Sequence, residues 1–178
     1  MDIARPYVYG FGLFFGTFFI ILLFFIKIDQ NTQAYCEDAV NKFVGNACSS
    51  GYIAPSDYIE MMQRINNTGN LYNVRITHNA KVVMPYVDES GSEVKGSYVK
   101  SEVTYNKEEI LEEMFPFNTT TYNNYPLGNG DYIQVTLSLK QPTLAGKLFA
   151  RLSRNEIKTI RYNKGGYVGN NEENGMLK

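Results

Sequence analysis

Charge is missing from one long stretch of this 178-residue chain. None of the 17 basic and 18 acidic side chains falls between Pro6 and Lys27. Seven of the 11 phenylalanines are concentrated between Phe11 and Phe25, and the chain contains no tryptophan. A soluble single-domain enzyme does not carry an uncharged apolar run of this length, so the sequence argues against that class.

The run from Tyr7 to Ile26 is long enough to cross a membrane. As a helix, its 20 residues would span about 30 Å, the thickness of a bilayer's hydrocarbon core. A cleaved signal peptide would need a basic start, a shorter apolar core and small residues at the cut. Here the start offers only Arg5 against Asp2, and Lys27-Ile28-Asp29-Gln30 contains no small-residue cut site. We therefore expect a retained single-pass anchor over residues 1–28, with the larger C-terminal part outside the cytoplasm.

Two glycines inside this run form a small-residue pair. Gly12 and Gly16 are four residues apart, a spacing that lets two membrane helices approach closely. The alternative is that both glycines are merely tolerated in an apolar helix. We expect them to form a packing surface for a second copy or for another single-pass protein.

Net charge is only −1, but it is unevenly distributed. Residues 29–142 carry a net −6, whereas residues 143–164 carry +5. A mildly acidic chain without a broad basic face is not expected to bind nucleic acid, because binding requires many phosphate contacts.

Residues for catalysis and metal binding are scarce. His78 is the only histidine, and its phase within a predicted strand favours a structural or surface role. The glutamates at 108, 109, 112 and 113 are spaced as a solvated helix face rather than as a calcium loop. The sequence contains none of the common nucleophile, zinc or phosphate-binding motifs. We therefore expect neither an enzyme nor a cofactor.

Only two cysteines occur, Cys36 and Cys48. On an unbroken helix, 12 residues separate them by about 18 Å, too far for a disulfide. If the helix ended at Gly45 or Asn46, Cys48 could fold back onto Cys36 and bond to it. Two buried apolar cysteines and one disulfide therefore remain as alternatives.

Periodicity divides the rest of the chain. Apolar residues at helical spacing predict an amphipathic stalk over 29–48, continuous with the membrane helix: Ala34, Cys36, Ala39, Val40, Phe43, Val44 and Ala47. Residues 49–168 alternate between strand and short-helix patterns, and residues 169–178 form a tail expected to be flexible. The predicted fold class is α+β, with a long N-terminal helix followed by a small, mostly antiparallel sheet.

Several elements can be placed within 49–168. Asp57 is the expected N-cap of one short helix, and Asn106 to Glu109 open another. Alternation predicts strands from Tyr72 to a stop at Pro85, from Ser97 to Tyr105, and from Ile133 to Leu139. Near the end, Asn163-Lys164-Gly165-Gly166 is typical of a hairpin turn.

The segment from Thr143 to Leu152 is ambiguous. As a helix capped by Thr143, it would place leucines and Phe149 on one side and Lys147, Arg151 and Arg154 on the other. Its apolar side could pack on the sheet with the basic side in solvent, or the basic residues could contact an anionic membrane surface or a partner.

The overall plan resembles type IV pilin-like proteins, in which an apolar N-terminal helix continues into an amphipathic stalk and a small α+β domain. Shorter segments are similar to pseudopilin-like proteins of tight-adherence (Tad) systems of Gram-positive bacteria. These segments are Ala39-Val40-Asn41-Lys42-Phe43, Ser50-Gly51-Tyr52-Ile53, Asp57-Tyr58, Thr68 to Val74, Gly130 to Val135, and Gly165-Gly166-Tyr167-Val168. The resemblance implies a structural subunit of a pilus-like, secretion or conjugation apparatus.

One family feature is absent. Members with a prepilin leader are cut after a small residue and carry glutamate five residues later, whereas Phe15, Thr17 and Ile21 follow Gly10, Gly12 and Gly16 at that distance. The expectation is therefore an unprocessed accessory subunit. The alternative is a membrane-anchored binding module for cell-wall polymer or peptide, built on the 14 tyrosines and the polar loop 117–130.

Overall fold

The chain is an α+β protein in which one long helix precedes a small antiparallel sheet domain. The structure is a computed structural model that describes residues 4–88, 91, 93–117, 119–153 and 161–169. Its helices are α1 (Ala4–Ser50), α2 (Pro55–Asn66), α3 (Lys107–Met114) and α4 (Leu144–Ser153). Its strands are β1 (Tyr52–Ile53), β2 (Tyr72–Val87), β3 (Glu93–Asn106), β4 (Tyr125–Pro126), β5 (Tyr132–Leu139) and β6 (Arg161–Tyr167).

Helix α1 contains 47 residues and is unbroken, so the apolar run and the stalk form one rod about 70 Å long. The stalk buries the predicted face, from Cys36 to Ala47, in the same core as the sheet. Ala34 is the exception and is exposed, because the buried face begins two residues later. The helix ends at Ser50, two residues beyond the predicted end of the stalk, and Gly51 follows it with a φ of +74°.

The unbroken helix excludes the predicted alternative of a Cys36–Cys48 disulfide. Neither Gly45 nor Asn46 interrupts α1, and both cysteines are free. Cys36 lies in the core and Cys48 packs against it. The cysteines therefore serve as small apolar packing residues, the other alternative.

The main sheet has the strand order β3-β2-β5-β6, and every neighbouring pair is antiparallel. Strand β5 confirms the predicted alternation, with Ile133, Val135, Leu137 and Leu139 all buried. Helix α1 packs against β5 and β6, whereas α3 packs against β3 and β2. The two helices therefore cover opposite ends of one sheet face.

Strands β2 and β3 extend beyond the sheet as a two-stranded ribbon. Strand β2 pairs with β5 only from Tyr72 to Asn79, and beyond that point it pairs with β3 alone. The predicted stop at Pro85 is wrong, because β2 continues to Val87. Proline lacks an N–H donor, but at Pro85 the strand has a neighbour on one side only, where this loss is tolerated.

The predicted hairpin at residues 163–166 is also wrong. These residues lie inside β6 and pair with Ile133 to Thr136 of β5. The two glycines serve close packing instead. A Cβ at Gly165 would collide with the Tyr132 hydroxyl, and one at Gly166 would lie 2.8 Å from the Cys48 Sγ. The preceding arm of the predicted hairpin, residues 157–160, lies outside the described residues.

Of the two short helices predicted within 49–168, α2 begins differently from the prediction and α3 begins as predicted. Helix α2 begins at Pro55 with Ala54 as N-cap, so Asp57 lies in the first turn and is not the cap. Asp57 instead accepts a hydrogen bond from the Asn46 side chain of α1 at 3.1 Å. Helix α3 begins as predicted, and the Glu109 carboxylate accepts the Asn106 N–H at 2.7 Å.

Candidate membrane-spanning and packing surface

The N-terminal half of α1 presents apolar side chains outward in every direction. By length and composition, α1 is the one helix among the described residues that could cross a membrane. From Tyr7 to Ile26, only Leu22 is buried, at 7% exposure, and most other side chains are more than half exposed. An apolar surface of this extent is stable only in lipid or against another apolar surface.

The threonine and the backbone of this run find hydrogen-bond partners within the helix. The Thr17 hydroxyl donates to the Leu13 carbonyl one turn earlier, at 2.8 Å. The helix ladder pairs the backbone groups without interruption. Both conditions suit a hydrocarbon environment, where no water is present to satisfy donors and acceptors.

Gly12 and Gly16 lie one turn apart on the same side of α1 and form an open surface. A Cβ added at either position would meet no other atom within 4 Å. Neither glycine is therefore required by a contact within the chain. The space beside them is available to a second helix, which stays a prediction.

Helix α4 docks where the apolar run ends. The Thr143 hydroxyl donates to the Asp29 carboxylate of α1, only three residues beyond Ile26. Thr143 also caps α4 as predicted, because its Oγ1 accepts the Gly146 N–H at 3.1 Å. Ala145 is buried, and the main contact of α4 is α1. Among the described residues, α4 therefore packs mainly on α1 rather than on the sheet, which was one of the two alternatives.

The basic side of α4 points away from this contact. Lys147 and Arg151 are exposed, whereas Arg154 lies outside the described residues. Since Asp29 is about 5 Å along the helix from Ile26, α4 begins close to the boundary predicted for the membrane. If the apolar run spans a membrane, Lys147 and Arg151 lie on a helix that begins near its boundary, and their contact with an anionic surface stays a prediction.

A buried polar network joins three segments of the sheet domain. His78 of β2 is 3% exposed and Asp131 is 5% exposed. The His78 Nε2 lies 2.9 Å from the Asp131 Oδ2, and its Nδ1 lies 2.9 Å from the Tyr125 hydroxyl. A carboxylate only accepts hydrogen bonds, so Nε2 donates. In the neutral ring, Nδ1 then accepts the Tyr125 hydroxyl.

Hydrogen bonds to Asp131 decide its protonation state. Burial tends to raise the pKa of Asp131, but the Lys81 N–H, the His78 ring and the Gly128 N–H together hold it below its ordinary value. Burial raises the pKa of Tyr125 and keeps its hydroxyl protonated. The Asp131 carboxylate is therefore ionised and accepts hydrogen bonds from three donors. These bonds, with the bond from Tyr125 to His78, connect β2, β4 and the turn before β5.

Chemically reactive groupings are scarce in the described part of the chain. No three histidine, cysteine or acidic side chains cluster there as metal ligands. Burial raises the pKa of the Cys36 and Cys48 thiols, which keeps both in the less nucleophilic protonated form. His78 is enclosed rather than presented to solvent, and it shares the buried side of β2 with Val74 and Ile76, as its strand phase predicted.

Sequence reasoning missed Asp29, Tyr125 and Asp131 as partners. Asp29 and Thr143 are 114 positions apart, and His78 and Asp131 are 53 apart. No local pattern marks such pairs. The one available signal was Asp131 itself, an acidic residue directly before the strongest predicted strand. Comparison of the chain with protein-family models, curated proteins and solved structures gave no match.

Proposed function

We propose that this protein is a non-enzymatic, single-pass membrane subunit of a pilus-like, secretion or conjugation apparatus, and that it assembles through its N-terminal helix. One observation carries the proposal: α1 is exposed and apolar in its first half and buried in the domain core in its second half, without a break. A movement of the helix in the membrane would therefore be transmitted rigidly to the sheet domain.

The proposal includes a family and an orientation. The helix-stalk-sheet plan supports a pilin-like subunit close to the Tad pseudopilin-like proteins, acting as an unprocessed accessory component. The sheet domain then lies outside the cytoplasm. Partners are the lipid bilayer and other single-pass subunits, including further copies of this chain.

The open glycine surface supplies the test. Gly12→Ile with Gly16→Ile fills the space beside α1 without touching any other part of the chain. In a membrane reporter of helix association, the wild-type span should give a signal that this variant reduces severalfold. Phe14→Leu with Ile21→Leu changes the opposite side of the same helix and should leave the signal unchanged. An equal signal from all three spans would refute assembly through this surface.

A second candidate function, binding of cell-wall polymer or peptide, is favoured by two exposed aromatic rings. Phe117 is fully exposed and Tyr122 is 60% exposed in the loop before β4. Aromatic rings offer rigid contact area at small entropic cost. Retention of the detergent-solubilised chain on purified wall material, lost on Phe117→Ser with Tyr122→Ser, would favour this function. Equal passage of wild type and variant would eliminate it.

A further inference from the structure

One side of the apolar run is covered, although most of its surface is exposed. Leu22 is buried, and Phe18 and Ile26 are half-buried. These three residues and Asp29 follow helical spacing, so they form one stripe along α1. The stripe extends for about 16 Å and ends at Asp29. Another segment of the chain therefore lies beside α1 at the level of the apolar run itself.

Helix α4 begins at this level. Its cap residue, Thr143, donates a hydrogen bond to Asp29 at the end of the stripe. The contacts of α2 with Tyr35 and of β6 with Asn41 lie farther toward the C-terminus of α1. Helix α4 has 10 residues and a length of about 15 Å, which matches the covered stripe. These contacts and lengths indicate that α4 runs from Asp29 back along α1 toward Phe18.

The exposed side of α4 combines positive charge with an apolar residue. Lys147, Leu148 and Arg151 are exposed, whereas Ala145 is buried. The sequence of α4 contains no acidic residue. Within the described part of the chain, neither cation has an ion-pair partner. This composition is typical of a helix that lies in the interface between lipid and water.

Lys27 extends the positive charge around α1. It is exposed and lies two residues before Asp29, about 200° away around the helix. Positive charge is therefore present on two sides of α1 where the apolar run ends. The Asp29 carboxylate at this level balances only one of the three charges that Lys27, Lys147 and Arg151 contribute.

The depth of α4 determines which partner can reach it. Leu148 lies about halfway along α4, beside the last third of the apolar run. A soluble acidic protein cannot enter a bilayer to this depth, whereas phospholipid surrounds α4 there. The long stems of Lys147 and Arg151 allow their charged ends to reach the headgroups from a backbone that lies deeper. Anionic headgroups complement both cations.

We propose that α4 is an interfacial helix, seated beside α1 at the membrane boundary, and that Lys147 and Arg151 bind the headgroups of anionic phospholipids. The inference rests on the proposed function for the premise that the apolar run spans a bilayer. It adds a second membrane contact and the class of lipid that this contact prefers. The bond between Thr143 and Asp29 fixes the position of α4 along the anchor.

A single introduced tryptophan tests the position of α4, because the chain contains none. The assay is quenching of tryptophan fluorescence by phospholipids brominated on their acyl chains, with the full-length chain in nanodiscs. Leu148→Trp probes α4, and Phe14→Trp probes the anchor. Tyr98→Trp probes the β2–β3 ribbon, which leaves the sheet at the end next to Cys48, far from α4. Quenching is expected at residues 148 and 14 but not at 98.

The lipid class is tested by brominating one lipid at a time. At equal mole fraction, phosphatidylglycerol should associate with Leu148→Trp about 5-fold more strongly than phosphatidylcholine, the factor expected from one cation near an anionic surface. Adding Lys147→Gln with Arg151→Gln should abolish this preference, and high salt should weaken it. Arg75→Gln with Lys100→Gln removes the same charge at exposed positions on the sheet and should preserve the preference.

The outcomes separate this inference from the proposed function. Absence of quenching in Phe14→Trp would refute the membrane anchor itself. Quenching in Phe14→Trp without quenching in Leu148→Trp would overturn the interfacial position of α4 and leave the anchor intact. An equal response to both lipids, or an equal loss in the Arg75 and Lys100 control, would overturn the binding of anionic lipid. Should Leu148→Trp lower the Tm, Gln141→Trp, exposed just before α4, replaces it with the same expected preference.

Discussion

Gly166 provides a sharp test of how the last strand packs on the stalk. A methyl group at this position would place Cβ 2.8 Å from the Cys48 Sγ and 3.5 Å from the Val44 Cγ1. Favourable carbon contacts lie near 3.5–4.0 Å, so the new atom must move by about 0.7 Å or more. The backbones cannot separate easily, because α1 holds Cys48 and Val44 and the β5–β6 ladder holds Gly166.

We therefore expect Gly166→Ala to destabilise the fold by about 1–3 kcal/mol, the usual cost of overpacking. For a chain of this size that corresponds to a fall in Tm of about 3–10 °C. The assay is thermal unfolding of the full chain in detergent, followed by circular dichroism. Gly169→Ala is the matched control, since a Cβ there meets nothing within 4 Å.

A rescue variant identifies the clash as the cause. Cys48→Ala removes the sulfur, so Gly166→Ala in that background should cost much less than in wild type. If Gly166→Ala and Gly169→Ala have the same Tm, or if Cys48→Ala does not restore the Tm lost in Gly166→Ala, then β6 does not pack on α1 as described.

Three other perturbations test the core, the buried network and the membrane boundary. Phe43→Ala should cost about 3–5 kcal/mol in denaturant unfolding, whereas Phe14→Ala, in the exposed membrane run, should leave domain stability unchanged. Because the folded pKa of Asp131 is depressed, its contribution to stability is present above the unfolded pKa near 3.8 and is lost as the pH falls through the lower folded value. The Asp131→Asn variant should be less stable than wild type at neutral pH. As the pH falls through this range, the wild-type Tm should drop more than the Tm of Asp131→Asn. Anionic lipid should slow amide exchange in α4 of the wild type in nanodiscs, but not after Lys147→Gln with Arg151→Gln.

Periodicity was a reliable guide wherever one element packs against one surface. The stalk face from Cys36 to Ala47 and the buried side of β5 were both predictable, because helical and strand spacings place apolar residues on one face. The candidate membrane-spanning run was found instead from its length and lack of charge. These features depend on neighbours in sequence, so local pattern was sufficient.

Prediction failed where distant segments determine the conformation. Gly165-Gly166 suggested a turn, but their lack of side chains serves the close approach of Tyr132 and Cys48. The segment Tyr125–Pro126 lay in a predicted loop, yet it pairs with Tyr52–Ile53 in a second, two-stranded sheet. Packing on the sheet was one of two alternatives for α4, which instead contacts mainly α1; its cap Thr143 bonds to Asp29, a partner that no local pattern reveals.

The membrane anchor is tested most directly by the intact mass and N-terminal residue of the protein in alkali-washed native membranes and in the shed surface fraction. A retained, unprocessed subunit predicts a chain that begins at residue 1 or 2 and is recovered only in the membrane. A soluble chain beginning beyond Lys27 would contradict the anchor itself. A chain beginning directly after Gly10, Gly12 or Gly16 would contradict the unprocessed accessory role and identify a processed pilin-like subunit.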